Sequence, residues 1–364
     1  MERFIFNLAI VFAVMAAIVI GIGGHIHIDM GDAFGMDPVV HASAGRVAAQ
    51  SYAGDSVEVK HTAAHIIVTP EDRQDISIEI DNPGRTPMPT VSRESGGKVV
   101  IDGHLRGRVG DCRDDGMNVV GYGSLSIDQL PQITIHTPRD VKIDLSGGNS
   151  SEIGAAQSVD ASVSGCGQTT VADVAQTLKA NISGSGNLTA GAAQNLDLDV
   201  AGSGHATIGA VRAGADISIA GSGLITIASL TGNLKANAEG SGDMNIQNGD
   251  IQNAHLEVAG SGNTQISAAI QSLDGELAGS GGLNIDHGPV TEAHLEVAGS
   301  SHAQMGGPIQ HLNVEVAGSG SVQVGAPVHD LDAEIAGSGT IRVPLVTGQL
   351  NKQIMGSGDV IVGR

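Results

Sequence analysis

Aligned on its first glycine, an Ala-Gly-Ser-Gly element recurs at Gly147, Gly165, Gly184, Gly202, Gly221, Gly240, Gly260, Gly279, Gly299, Gly318, Gly337 and Gly356, in steps of 18, 19 or 20 residues. Two residues before these marks stand Leu145, Val163, Ile182, Val200, Ile219, Ala238, Val258, Leu277, Val297, Val316, Ile335 and Ile354, apolar without exception. Six residues after them the column is equally apolar, from Ile153 and Val171 through Met305 to Val343 and Val362. Self-similarity at such a period is the signature of a repeat architecture. One unit cannot bury its own apolar face and depends on its neighbours to do so.

The positions two before, four after and six after the mark are mostly apolar, and those between them mostly polar. That is the alternation of strands, not the stripe of a helix. A glycine between two such strands permits a tight corner or a positive φ where a Cβ would clash. Coils stacked in parallel at ~4.8 Å pair each backbone with the coils above and below, and twelve of them make a rod about 55 Å long. The expected fold is therefore all-β, a right-handed parallel β-helix (β-solenoid) with about 19 residues per coil. A leucine-rich repeat has a similar period, but its L-x-x-L-x-L-x-x-N signature is missing. The calcium-binding nonapeptide roll needs a fixed Asp, whereas only Asp243 and Asp359 follow a Gly-Ser-Gly here.

The rest of the chain divides around this array. Phe4 to Gly24 is apolar except for Asn7, near the ~20 residues a membrane-crossing helix needs, so residues 1–24 read as an anchor or signal segment. Arg3 precedes it and Asp29, Asp32 and Asp37 follow, which leaves the body outside the cytoplasm, in the periplasm or at the cell surface. Ala42-Ser43-Ala44 is a small-x-small pattern set far from the apolar run, so a retained anchor through residues 4–24 is preferred to cleavage and secretion. Residues 25–56 lack a sustained period and read as a linker. Residues 57–145 keep the alternation without the glycine mark, at Val57 and Val59, Ile66 and Val68, Ile76, Ile78 and Ile80, and Ile133 and Ile135. They read as irregular first coils or a β cap before the array of residues 146–364. Within them, residues 103–124 form a Gly-rich excursion carrying Arg106, Arg108 and Arg113 beside Asp111, Asp114 and Asp115, most simply a solvated loop. At the other end, Val360-Ile361-Val362-Gly363-Arg364 reads as an open strand edge with only Asp359 and Arg364 as charged deterrents.

Composition narrows the function. The formal charge of −21 opposes nucleic acid and anionic bilayers as partners of the body. With four Phe, two Tyr, no Trp and nothing aromatic after Tyr122, the array packs on aliphatic residues. It also offers no aromatic platform for a sugar and no long inserted loop to build a catalytic groove.

Cys112 and Cys166 are an even pair in an exported chain, which favours a disulfide over two free thiols or a redox or metal role. Cys166 fills the slot after the mark that is Ser at ten of the other eleven marks, so a bridge would tie the excursion to the second coil. Three residues before the mark, Glu257, Glu276, Glu296, Glu315 and Glu334 fall in consecutive coils as a candidate acidic surface ladder. At ~4.8 Å such carboxylates repel one another, and they are read as a solvated face before a weak cation-binding surface. Five residues after the mark runs a polar row from Thr170, Thr189, Thr207 and Thr226 to Gln323. The fourteen His do not form a ligand set; His255 and His294 share a column two coils apart, too far to hold one ion. No cofactor and no metal site are expected.

Several segments together resemble the putative auto-transporter adhesin, head GIN domain family of bacterial envelopes. They are Asp55-Ser56-Val57-Glu58-Val59, Ile66-Ile67-Val68, Gly97 to Ile101, Leu130 to Pro138 and the repeated Ala-Gly-Ser-Gly coils, most of residues 55–364. The resemblance implies a right-handed β-helix outside the cytoplasm with no established enzymatic activity. The expected function is a non-enzymatic, envelope-exposed adhesin-like interaction or structural module with an unknown surface ligand. The alternatives are a scaffold that self-assembles as a homo-oligomer by end-to-end stacking of the last coil, and, less favoured, a glycan-processing enzyme.

Overall fold

The computed structural model describes residues 41–113 and 115–363. The glycine marks set its architecture. All twelve, Gly147 to Gly356, pair in register from coil to coil through parallel strands, giving a β-solenoid of about twelve turns. Each mark has a positive φ, for example +109° at Gly184 and +139° at Gly260. A Cβ on a mark would also meet the carbonyl oxygen of the mark one coil below, at 2.1 Å for Gly260 and 2.8 Å for Gly299. That oxygen is already engaged, since the amide of the following Ser donates to it, as Ser203 does to Gly184 at 2.8 Å and Ser261 to Gly240 at 2.7 Å. Glycine is thus required twice at one atom, by dihedral angle and by coil spacing.

The alternation sends the expected columns inward. In Thr177–Gly184, Leu178, Ala180 and Ile182 are buried, and the same three positions are filled by Leu196, Leu198 and Val200 in the next coil. The short strand after each corner adds two more inward positions, such as Ile225 and Ile227. These side chains merge into one apolar core running from Val57 to Val360. Burying a Leu or Ile in that column contributes about 1.5 to 3 kcal/mol, multiplied over the coils, which is how the array holds together without aromatic residues.

The segment before the array supplies the first coil and closes its edge. Strand β1 spans Gly45–Tyr52, β2 Ser56–Glu71, β3 Ile76–Asn82, β4 Thr90–Arg93, β5 Lys98–Asp102, β6 Val109–Arg113, β7 Gly116–Val119, β8 Gly123–Ser126, β9 Gln132–Pro138, β10 Asp140–Ile153 and β11 Ser158–Val171. β2 stacks in parallel on β10, with β5 and β9 in parallel on its other edge. Pairing then becomes antiparallel, β4 on β5, β3 on β9 and β1 on β3. The irregular first coils and the β cap are therefore both present. Residues 45–52, expected within the linker, are a correction: Tyr52 and Val47 pack against the core, and β1 pairs with β3 across a bulge between Val47 and Gln50. The expected membrane segment, residues 4–24, lies outside the described residues, among which no helix is long and apolar enough to cross a membrane.

Candidate functional surface

The long strand of each coil presents alternate side chains to the core, among them the one two residues before the mark, and the others to solvent, so a row three residues before the marks must lie on the outer face. Register places Glu257, Glu276, Glu296, Glu315 and Glu334 in one uninterrupted row. Burial, reinforced by Glu296 and Glu257, pushes the Glu276 carboxyl above the ordinary carboxylate range. Glu315 is raised in the same way by burial and then by Glu296 and Glu334. Glu276 and Glu315 are thus raised by burial first and by like charges in the neighbouring coils second, the direction expected of carboxylates at ladder spacing.

Beside it runs the column His255, Asp274 and His294, in register on neighbouring coils. His255 sits 3.0 Å from Asp274 Oδ2 through Nδ1 and 3.2 Å from Glu257 Oε1 through Nε2. Burial lowers its pKa, but the hydrogen bonds to Glu257 and Asp274 outweigh that and leave it raised. His294 lies 3.5 Å from Glu296, and His311 3.1 Å from Asp330. Among the described residues no three His, Cys, Asp or Glu side chains form a group that could hold a metal ion. The histidines instead pair with one or two carboxylates each. The column spacing that separates His255 from His294 already contained this pairing, because Asp274 fills the coil between them.

On the adjoining face, Thr170, Thr189, Thr207, Thr226, Asn245, Gln265, Asn284, Gln304 and Gln323 form one row. Asp286, which sequence reasoning passed over, gathers donors from Gln265 and Asn284 at 2.6 Å each and from Ser267 at 3.0 Å. Those bonds, the one from Gln265 foremost, lower its pKa. Asp286 is a fastener between coils.

The excursion forms a three-stranded antiparallel sheet, β6 to β8, over its own small core of Ala63, Leu105, Met117, Val119, Leu125 and Leu130. A disulfide joins Cys112 to Cys166, Cα to Cα 5.8 Å, and fixes the excursion on β11. Its Val109 packs so closely on Gly148 that a Cβ there would lie 2.3 Å from Val109 Cγ1. Gly148 and Cys166 are the two positions after a mark that are not Ser, and both lie where the excursion docks. That pair of departures was the legible signal for its position. At its root, His61 and His104 hold left-handed backbone, φ +49° and +55°, around one carboxylate. Asp102 Oδ1 accepts the His104 amide at 2.8 Å and lies 3.2 Å from His61 Nδ1, which turns the chain out of β5 into the excursion.

These elements define a class: an all-β solenoid whose outer faces carry in-register rows of polar side chains. The sequence pattern of the putative auto-transporter adhesin, head GIN domain family matches residues 174–289 and 278–363. The chain belongs to that family. No curated protein matches it. Among solved structures, it is similar to a putative adhesin from Parabacteroides merdae at 13% identity and TM-score 0.27, covering 89% of this chain and 97% of that one. It is also similar to a putative adhesin from Parabacteroides distasonis at 14% identity and TM-score 0.29, covering 86% and 98%. A third likeness is to a putative lipid binding protein from Parabacteroides distasonis at 15% identity and TM-score 0.24, covering 89% and 98%. Superpositions this loose carry neither fold nor function across.

Proposed function

We propose that this protein is a non-enzymatic interaction module of the bacterial envelope, adhesin-like in the broad sense, that presents the outer rows of a rigid solenoid to a partner. The observation that carries this reading is the in-register acidic row from Glu257 to Glu334 with its histidine and aspartate neighbours, a repeating surface that crosses five coils. Family membership supports the same reading. The coils wind right-handed, the hand that parallel crossovers take almost without exception. Residues 4–24 anchor the chain, and the body lies outside the cytoplasm. The Cys112–Cys166 bridge supports that compartment, since disulfides persist in oxidising surroundings.

Two experiments test the reading. A reporter enzyme that is active only outside the cytoplasm, fused after Gly363, should be active; an inactive fusion sinks the proposed compartment. Fluorescently labelled protein should bind cell surfaces or immobilised polymers in a saturable way that falls when Glu276, Glu296 and Glu315 are changed together to Gln. Turnover of a polysaccharide by the same protein, or binding indifferent to the triple change, would overturn it.

A further inference from the structure

Where the coils lengthen, the outer wall opens. Between the strands Ala193–Gly202 and His205–Gly221 one residue is inserted, because Ala193 pairs with Val211 but Asn195 with Gly214. A second insertion lies higher in the stack, where Gly232 pairs with Ile251 but Asn233 with Asn253. Alongside these two bulges runs a trough of about 610 Å³, a size ordinary for a ligand site. One bank is the in-register row Asn195, Gly214, Asn233, Asn253 and Ser272, so the trough crosses five consecutive coils. The other bank is the row Asp216, Lys235, His255 and Asp274. Between them the buried residues Leu196 and Leu234 form part of an apolar floor.

Gly214 keeps the middle of the trough open. It lies outside the left-handed region that the corner glycines occupy, so its dihedral angles do not call for glycine. The asparagine that stands one coil below and one coil above would fill the space. The banks carry hydrogen-bonding groups without partners: among the described residues, the side chains of Asn195, Lys235 and Ser272 bond to no other group. Asn253 donates its Nδ2 to Asn233 Oδ1 at 2.9 Å, which leaves the Asn233 Nδ2 and the Asn253 Oδ1 to a ligand. Charge is close to balanced here, unlike in the glutamate row. Asp216 stands in register beside Lys235, and Asp274 lies 3.0 Å from His255.

We infer that the trough binds a linear, uncharged glycan laid along the rod axis, an inference that rests on the reading of the outer rows as an interaction surface. Sugar hydroxyls donate and accept, as the free amide groups and Ser272 do, and a balanced lining gives no advantage to a polycation or a polyanion. Period argues for the same class. A pyranose ring linked through opposite ends advances by close to one coil spacing, ~4.8 Å, so successive sugars meet the same two rows; an extended peptide advances ~3.3 Å per residue and falls out of step. The floor receives the apolar faces of the rings. Without an aromatic platform each sugar contributes little, and affinity accumulates by repetition from coil to coil.

The test applies residues 40–364, which form a compact unit with their own core, to an array of linear neutral hexose and N-acetylhexosamine oligosaccharides of graded length. At least one series should bind, with affinity rising up to about five sugars, one for each coil of the trough, and level beyond. Added salt should leave that binding unchanged. Asn195→Ala combined with Asn253→Ala should weaken it by about tenfold, and so should Gly214→Asn alone, which adds a side chain and no charge. Circular dichroism of each variant separates a lost site from a lost fold. Failure of every series to bind overturns the inference, as does binding that ignores chain length or survives both changes in folded protein. Cell-surface binding that is lost on changing Glu276, Glu296 and Glu315, with no sugar bound, refutes the trough and leaves the interaction module standing; absence of both refutes both.

Discussion

Replacing one glycine mark by alanine separates the two demands that the corner makes. At Gly260 the backbone has φ +139°, and an added Cβ would lie 2.1 Å from the Gly240 carbonyl oxygen. Gly96 shares the positive φ, +98°, but has nothing within 4 Å of the same position. Gly96→Ala therefore measures dihedral strain alone, about 1 kcal/mol or slightly more. Gly260→Ala adds a clash that no side-chain rotation relieves, because the opposing atom is backbone and already accepts the Ser261 amide at 2.7 Å. Moving that carbonyl sacrifices about 1 kcal/mol of hydrogen bond on top of about 1 to 3 kcal/mol of backbone strain. The expected total is about 3 to 5 kcal/mol, concentrated at one nearest-neighbour interface, so the coils on either side should unfold separately. Urea denaturation followed by circular dichroism gives the size, and hydrogen exchange coil by coil gives the place. If Gly260→Ala costs no more than Gly96→Ala, coil spacing does not select glycine and the stacking argument fails.

Changing Cys112 and Cys166 together to Ser removes a link across 54 residues, worth up to about 4 kcal/mol by loop entropy, and should expose the excursion to protease while coils beyond β11 stay protected. An unchanged cleavage pattern would show that the small core of the excursion holds it without the bridge. Ser301 sits in a slot usually held by glycine, fully buried, with its hydroxyl unpartnered. Ser301→Ala should raise stability by about 1 kcal/mol, and a fall in the thermal midpoint would reveal a partner for that hydroxyl. The raised carboxyls of Glu276 and Glu315 bind protons more readily in the folded state, and His255 is raised as well. Their contribution is complete below the unfolded pKa of each group and is lost as pH rises through the folded one. Thermal stability should therefore increase on acidification from pH about 7 to about 5. At lower pH the trend reverses, as Asp286 and Asp330, held below the ordinary range by the Gln265 hydrogen bond and the Gln349 amide respectively, take up protons. A midpoint that falls steadily from neutral pH would contradict the assignment, and Glu276→Gln should flatten the rise.

The period, the inward columns and the corner glycines were legible because each rests on a local rule repeated twelve times, so errors at one coil are corrected by its neighbours. The pairing of Cys112 with Cys166 was legible from parity and compartment. What escaped was non-repeating. β1 carries Arg46, Gln50 and Ser51 and has no clean alternation; it is a strand because β3 offers an edge, which no local pattern announces. Asp286 lies outside the aligned columns, and its three donors come from two different coils.

The acidic row has a consequence for what the surface is for. In the same column Ser162, Asn181, Ser218 and Asn237 serve earlier coils, with Asp199 between them. Neutral polar rows support a stack through side-chain hydrogen bonds, whereas carboxylates at ladder spacing weaken it through repulsion and burial. Glu276 and Glu315 are raised by burial and then by their glutamate neighbours, the direction that such weakening predicts. Fold stability alone would have continued Asn or Ser through the later coils. Stability of the stack does not account for five consecutive glutamates; two roles outside the core would suit them, repulsion between neighbouring molecules and capture of a cationic partner. The two differ in their dependence on pattern. Repulsion follows net charge, so moving three of the glutamates to another outer column should leave solubility unchanged. Recognition follows spacing, so the same rearrangement should abolish binding while the net charge remains −21.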